Sequence, residues 1–397
     1  MNLFQHPELI EDVFCKALTP NDDSGRHGLL IPVFAYHMFP TFKEFDPSAF
    51  LNYEEPITTH WYESTGWVQK NSKWKHYHRY PERRMTSLSP ESLNNRPQGC
   101  IVIIGKYRDL YEYECLVISP TDINYDAVSK MFKLHKENDF YKGAAILPFS
   151  TLTDSTDPVL DEFMEKFMSI HSLGYIETLR DGDTGIGYTF ETLMGIDANS
   201  SKEPDFKGKE LKCSRSPKPK EKRKAPTGKQ TLFSLIPNWD KAENRVGLVK
   251  NYGHYDPIKD RISLSCTIKV VPNSLGWNLE ICEETAHIYV CLNGNRIVSY
   301  PMNSLKEALE AKHKESLFIT AHAIKNSSKK ETFFYDSVVY CKEALFQEFL
   351  SLLKENLAGL DFTLNYKNDK ARDHGFLWRL DSKKYLLRLF KYVQELM

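Results

Sequence analysis

The residues from Asp181 to Arg215 hold three carboxylates and a lysine at a spacing that suits metal-assisted hydrolysis of a phosphodiester. Pro204-Asp205 and Glu210-Leu211-Lys212 read as parts of two short strands, and Glu191 falls in a predicted helix behind a glycine-rich turn. Strand side chains alternate between faces, so Glu210 and Lys212 project together while Leu211 turns to the core and leaves its carbonyl beside them. Asp205, near the end of the preceding strand, is expected to reach the same point. Two carboxylates, a carbonyl and a phosphate oxygen make the hard donor set that Mg²⁺ prefers, and Mn²⁺ accepts the same oxygens. A lysine there would ease formation of hydroxide beside the scissile phosphate and offset charge in the transition state. Residue types alone leave this open, because Asp followed by Glu-x-Lys also arises on solvated strands.

The segment just upstream, DTGIGYTFETLMGI (Asp183 to Ile196), resembles the first helix of the MvaI/BcnI-type restriction endonucleases and of the related MutH nicking enzyme. That family pairs a TGIG-x-TFE stretch with a short-gap PD-x4-E-x-K. The resemblance implies Asp205 and Glu210 as metal ligands with the Leu211 carbonyl, Lys212 as the catalytic lysine, and Glu191 as an accessory catalytic carboxylate. The alternative for Glu191 is a solvated helical glutamate.

These residues need elements to hold them. A chain of 397 residues is too long for one core and suggests two domains. The polar segment Pro148 to Asp157 marks a break, after which Val159, Leu160, Phe163, Met164, Phe167 and Met168 recur at helical spacing behind a Thr-Asp-Pro start signal. The expected division is 1–150 and 158–397. Beyond it, 262–270 alternates like a strand, and HIYVCL and RIVSY flank Asn293-Gly294, a hairpin signal. Helices are predicted near 303–313, 343–356 and 383–396, with strands around 317–323, 332–340, 360–366 and 376–380. The expected fold is an α/β nuclease domain of PD-(D/E)xK type, a central mixed sheet flanked by helices, preceded by a mainly β pseudobarrel DNA-binding domain.

Eight scattered cysteines with no C-x-x-C pair read as free thiols. The acidic, proline-bearing N-terminus is wrong for a signal peptide, and no apolar run is long enough to cross a bilayer, so a prokaryotic cytoplasmic protein without a membrane partner is expected. Net charge is −1, which does not advertise nucleic-acid binding, but Lys207 to Lys229 holds ten Lys or Arg against two acidic residues. The segment 214–229 is expected to be a mobile loop. It is either a solvated linker or a clamp on DNA phosphates, the second favoured by its place beside Lys212.

Near the C-terminus, Asp373-His374-Gly375 with Arg379 resembles the DHG-x4-R segment that these endonucleases place in the DNA groove. Arginine can fork onto guanine O6 and N7, histidine can donate to the same edge, and aspartate can accept from cytosine N4. Leu360 to Tyr366 resembles a family strand of Asp-x-Arg type and adds Asp361 and Tyr366 to the DNA-binding set, although Thr363 stands where the family has arginine.

The first 150 residues show strand candidates rich in aromatics and a basic, aromatic stretch from Lys73 to Arg84. KALTPNDDSGRHGLLIP (Lys16 to Pro32), Phe39-Pro40, DPSAF (Asp46 to Phe50) and ERRMT (Glu82 to Thr86) resemble the N-terminal effector domain of EcoRII, which shares the pseudobarrel of plant B-three transcription factors. The resemblance implies two DNA-reading arms, one offering Arg26 and His27, the other Arg79, Glu82 and Arg84, with Lys16 nearby. Together the two resemblances imply a type II restriction endonuclease that cuts double-stranded DNA at CCWGG, nicking the strands in turn with Mg²⁺. They imply a monomer, able to bridge two DNA sites, with a cognate methyltransferase in the cell but no stable complex. The alternatives are a MutH-like or methylation-dependent nickase, and a non-catalytic DNA-binding regulator.

Overall fold

The strand that carries the Glu-x-Lys pair, Glu210–Arg215, lies at the end of a 13-stranded mixed sheet. It runs parallel to Ser316–Lys325, with Lys212 beside Phe318, and that strand turns back antiparallel onto Glu331–Ala344. The sheet continues through Phe390–Glu395, Ala144–Pro148, Ile10–Ala17, Ile101–Tyr107, Glu112–Ile118, Tyr53–Glu63, Gly66–Tyr77, Glu82–Thr86 and Leu29–Ile31. These elements come from a computed structural model that describes residues 3–23, 28–47, 49–80, 82–152, 157–196, 205–216 and 229–397.

All of that sheet belongs to one of two compact units, formed by Met1–Lys222, Lys314–Glu343 and Phe390–Met397. The second unit is Arg223–His313 with Ala344–Leu389. These units divide the chain elsewhere than the sequence break at Pro148 to Asp157. Residues 383–396 are expected to be helical, but Lys383–Leu389 is a short 3-10 helix and Phe390–Glu395 is a strand. It pairs with Ala145 and Ile146 on one side, and next to it the backbone bond from Leu396 to Val338 ties the other. Phe390 and Val393 are fully buried and Tyr392 and Gln394 nearly so, so both faces are covered. The run Phe390-Lys391-Tyr392-Val393-Gln394-Glu395 mixes apolar and polar side chains on both faces, so it carries no alternation that separates strand from helix.

The helix Pro158–Ser172 forms where its start signal stands. Asp157 caps it, accepting the Leu160 N–H at 3.0 Å, and Leu160, Phe163, Phe167 and Ile170 are buried on its inner face. Those residues join Phe190, Phe206, Leu211, Leu317, Ile319 and Tyr335 in one core, so the helix and the catalytic strand are packed against a common apolar layer. The first 150 residues are mainly strands, as expected, and resemble a pseudobarrel only loosely. Trp74 is wholly buried and stacks on Phe39 at 4.2 Å, whereas its neighbours Lys73 and Lys75 face outward onto Glu54, which is the alternation of a half-buried strand.

The second unit holds an antiparallel sheet in the order Gln230–Ser234, Lys370–Leu380, Ala358–Lys367, Arg261–Ile268, His254–Asp256, and a three-stranded meander, Trp277–Cys282, His287–Leu292, Asn295–Pro301. Asn293 and Gly294 have φ of 48° and 79°, the two-residue turn expected there. The helices Met302–Lys312 and Phe346–Lys354 close to the predicted places bury Leu305, Leu309, Phe349 and Leu353. All eight cysteines are free. Among the described residues no helix is long and apolar enough to cross a membrane.

Arg388, buried in this unit, donates Nε to Glu348 at 2.5 Å and forks onto both oxygens of Glu355 at 2.6 and 2.7 Å. Two carboxylates therefore depend on one guanidinium away from water. Arg388→Ala is expected to lower stability by about 3–5 kcal/mol, because it strands buried charge. Urea unfolding measures it, and a loss below about 1 kcal/mol would show that the carboxylates find other partners or protonate at little cost.

Candidate active site and nucleic-acid interface

Asp205 and Glu210 flank a tight hairpin. Phe206 and Lys209 exchange both backbone bonds, at 3.0 and 2.8 Å, and Lys207 and Gly208 between them have φ of 45° and 92°. This two-residue turn matches the twist of the flanking strands and needs left-handed backbone at both positions, which Gly208 adopts without a steric penalty. The hairpin brings Asp205 level with Glu210.

The strand Glu210–Arg215 is an edge among the described strands, so every second residue turns its N–H away from the sheet. Glu210 donates its N–H to the Glu315 carbonyl at 2.9 Å, toward the neighbouring strand. Leu211 faces the other way, and its N–H is taken by Asp205 Oδ2 at 3.0 Å. The carbonyl of a strand residue leaves on the same side as its N–H, so the Leu211 carbonyl shares the Asp205 side. Lys212 shares the Glu210 face. Its Nζ is shielded from solvent and lies 5.8 Å from the centre of the Phe318 ring.

Glu191 reaches this place from the last turn of the helix Gly185–Leu193. Four residues of the TGIG-x-TFE stretch, Gly185, Ile186, Thr189 and Phe190, help to hold that helix. A Cβ on Gly185 would come within 2.2 Å of the Arg180 carbonyl, so only glycine allows this approach. Thr189 is fully buried and accepts the Leu179 N–H at 3.0 Å. Tyr335 donates its hydroxyl to the Ile186 carbonyl at 2.8 Å, and Phe190 packs on the Tyr335 ring at 5.0 Å. Arg215 forks onto Glu331 at 2.6 and 2.7 Å and donates to the carbonyls of Gly182 and Asp183, tying the glycine-rich turn to the end of the catalytic strand.

Burial pushes the Glu191 carboxyl above its usual pKa, the charges of Asp205 and Glu210 add to the rise, and Arg180 opposes them. Burial likewise raises the Cys213 thiol, with Glu191 and Asp205 adding to it. Three carboxylates thus share one field. Among the described residues no three acidic, His or Cys side chains are gathered tightly enough to form a ready metal cage. The donor set still fits a hard divalent cation: it is all oxygen, and a cation would relieve the repulsion that raises Glu191.

Lys209 is the residue that sequence reasoning passed over, counted only among the basic stretch. Its side chain is 6% exposed, and Nζ donates to Glu315 Oε2 at 2.6 Å, Asp157 Oδ2 at 2.9 Å and Tyr340 Oη at 3.1 Å. Burial works against its charge, yet the bonds to Glu315 and Asp157 hold its pKa above the ordinary lysine value. Its place in the hairpin between Asp205 and Glu210 gave no local signal that its side chain turns inward to Asp157.

The second unit presents the DHG segment as a β-bulge. Phe362 pairs with Phe376 and Leu364 with Asp373, so His374 and Gly375 together oppose Thr363. Gly375 has φ of 97°, its carbonyl accepts the Thr363 hydroxyl at 3.3 Å, and its N–H is bonded to Asp373 at 3.2 Å. The bulge leaves His374 exposed, while Asp373 ion-pairs with Arg245 at 2.6 Å. Arg379 is engaged by the Thr231 hydroxyl at 2.9 Å and by Asp361 at 3.1 Å. Asp361 is 7% exposed and also holds Lys229 and Thr267, each at or below 2.7 Å from Oδ1. It is placed as an anchor for Arg379 and Lys229, not as a group facing outward. Tyr366 donates to Asp369 at 2.6 Å beside the Lys250 ammonium.

In the first 150 residues Arg26 and His27 lie outside the described residues, as do 217–228 of the basic loop. Lys16 is buried, with Nζ donating to both Asp22 oxygens at 2.8 and 3.0 Å and to the Leu30 carbonyl at 2.7 Å. Its donors are spent inside the protein, which removes the reason to expect it on DNA. Arg84 is likewise buried, bonded to Glu82 at 2.8 Å and to the carbonyls of Asn21 and Gly28, so it links the two ends of the 22–27 segment. Arg79 is exposed in the turn beside Tyr80.

The MvaI/BcnI restriction endonuclease family model matches residues 164–390. Among solved structures, restriction endonuclease MvaI in complex with cognate DNA is 23% identical, spans 61% of this chain and 100% of its own, and superposes with a TM-score of 0.46. MvaI without DNA matches at 23% identity over 61% of this chain and 99% of its own, with a TM-score of 0.41. The B3 domain of the UbaLAI restriction endonuclease with cognate DNA is 28% identical over 35% of this chain and 87% of its own, with a TM-score of 0.28. No curated protein matches the chain. The family model covers more than half of the sequence, catalytic hairpin and DHG segment included, and the chain belongs to the MvaI/BcnI restriction endonuclease family, as a type II site-specific deoxyribonuclease.

Proposed function

We propose that the enzyme cuts double-stranded DNA at CCWGG, one strand at a time, using Mg²⁺ held by Asp205, Glu210 and the Leu211 carbonyl. The observation that carries the site assignment is the hairpin 205–210, which fixes Asp205 on the Leu211 N–H and sets it beside Glu210 on an open strand edge. Bound Mg²⁺ would supply Lewis acidity toward the phosphate and a water of lowered pKa. Lys212 offsets charge on the phosphate in the transition state, and Glu191 completes the carboxylate field from the helix. In-line attack by water breaks the bond to the 3′ oxygen and leaves a 5′-phosphate and a 3′-hydroxyl. One such site cannot serve both strands in a single pose, so a monomer nicks one strand and rebinds in the opposite orientation on the nearly palindromic sequence.

Specificity in this reading comes from two regions. In the C-terminal one, His374 on its bulge and Arg379, oriented by Asp361, read the guanine edges, with Asp373 and Tyr366 beside them. Residues 1–150 act as an EcoRII-like domain that binds the same sequence as anchor or effector, the two-part architecture of the monomeric enzyme UbaLAI. Arg79 and the arm of Arg26 and His27 are its proposed DNA contacts, with Arg84 and Glu82 bracing the arm. Tethering a second reader raises apparent affinity by about a hundredfold or more without new contacts at the first.

Three measurements test this. Unmethylated plasmid incubated with Mg²⁺ is expected to be cut only at CCWGG, with no cleavage in EDTA, when the product ends are sequenced. Asp205→Asn, Glu210→Gln and Lys212→Ala are each expected to slow cleavage by about a hundredfold or more while keeping the fold. Full activity in Lys212→Ala would remove it from the active site. Arg379→Ala is expected to cost about 1–3 kcal/mol of discrimination at one guanine, read from cleavage of sites altered one base at a time. Unchanged site choice would reduce Arg379 to the partner that neutralises Asp361.

A further inference from the structure

We infer that Lys209 is a positioning residue for the metal-binding hairpin, acting through a buried network that couples the two carboxylates to the helix Pro158–Ser172 and to the neighbouring strand. The inference rests on the assignment of Asp205 and Glu210 as metal ligands. Several contacts converge on the four-residue turn between them. Lys209 donates to Asp157, Glu315 and Tyr340 from a side chain almost wholly out of water. Asp157 is at the same time the cap of the helix, bonded through its other oxygen to the Leu160 N–H. Glu315 holds Lys209 with its side chain and the Glu210 N–H with its carbonyl, and Tyr340 donates to the same carboxylate oxygen at 2.6 Å. On the other side of the turn, Phe206 packs edge-on to Phe163 at 5.6 Å and Lys207 pairs with Glu162 of the same helix.

A two-residue hairpin at the end of a sheet has few ladder bonds of its own, so its orientation depends on what its side chains hold. Here Lys209 ties the segment immediately before Glu210 to two rigid elements, and its ammonium balances two carboxylates that do not face the metal position. Methionine at 209 has a similar length but no charge, and would leave Asp157 and Glu315 to repel each other beneath the hairpin. The hairpin would then set its ligands less well, and metal would have to supply the lost order.

The test is cleavage of a CCWGG oligonucleotide by full-length Lys209→Met over a range of Mg²⁺ concentrations, with DNA affinity measured separately in EDTA. The half-saturating Mg²⁺ concentration is expected to rise about tenfold or more, the range seen when outer partners of metal ligands are removed. DNA affinity in EDTA stays at the wild-type value, and Lys209→Arg recovers part of the metal response. A folded Lys209→Met with wild-type Mg²⁺ dependence overturns the inference, and so does a variant whose only defect is a lower melting temperature. If Lys209→Met does not fold, Glu315→Gln decides the same question, because it weakens the hold on Lys209 while keeping the backbone bond to Glu210. Asp205→Asn run in parallel separates the two failures. Retained cleavage in that variant would refute the ligand assignment itself, whereas its loss beside an unaffected Lys209→Met would refute only the role of Lys209.

Discussion

Among the described strands Glu210–Arg215 has an open edge, and that edge is the constraint on which the proposed active site depends. A sheet must end somewhere, and an end strand leaves N–H and C=O groups without a ladder partner. In this protein one of those groups, the Leu211 N–H, is met by a carboxylate from the same chain. The bond does two things: it satisfies the edge, and it holds Asp205 where the outward Leu211 carbonyl and Glu210 are also found. A strand in the middle of the sheet would have given its N–H and carbonyl to a neighbour, and no backbone oxygen would remain for a metal.

Gathering carboxylates at that edge has an electrostatic cost, and much of the surrounding structure offsets it. Arg180 opposes the rise in the Glu191 pKa that burial and the neighbouring carboxylates cause. Arg215 is held by Glu331, yet its remaining donors fix the carbonyls of Gly182 and Asp183, so it steadies the turn that starts the Glu191 helix. Lys209 balances Asp157 and Glu315 on the other side. The apolar layer of Phe163, Phe190, Phe206, Leu211 and Tyr335 joins these parts, so that helix, hairpin and strand share one packed core.

The residues proposed for catalysis were legible because the chemistry restricts both type and spacing. Asp205, Glu210 and Lys212 can be found from alternation on a strand, and Glu191 from the likeness of the stretch around it. What stayed hidden depends on tertiary partners. The strand Phe390–Glu395 mixes apolar and polar residues on both faces, so its pairing with Ala145 and Ile146 and the Val338 bond beside it define it, and no local period does. Lys209 was invisible as anything but one cation among ten, since nothing local says that it turns inward.

The same limitation explains why residues selected for DNA by their charge fall into two groups. Lys16, Arg84 and Arg379 each meet carboxylate or carbonyl oxygen within the protein, at Asp22, Glu82 and Asp361. A charge-to-base argument sees only the side chain's donors, whereas burial decides whether those donors are still to be spent. For Lys16 they are spent, with three oxygens around one ammonium. Arg379 is different: it is about a third exposed, and a carboxylate behind it orients the guanidinium without covering it. A guanidinium held in this way loses less freedom on meeting a base than a mobile one, so the bond to Asp361 favours recognition instead of competing with it. Thr363 extends the same logic. Where the family strand has an arginine, its hydroxyl fastens the bulge through the Gly375 carbonyl, so this position shapes the reader that presents His374 and adds no cation of its own.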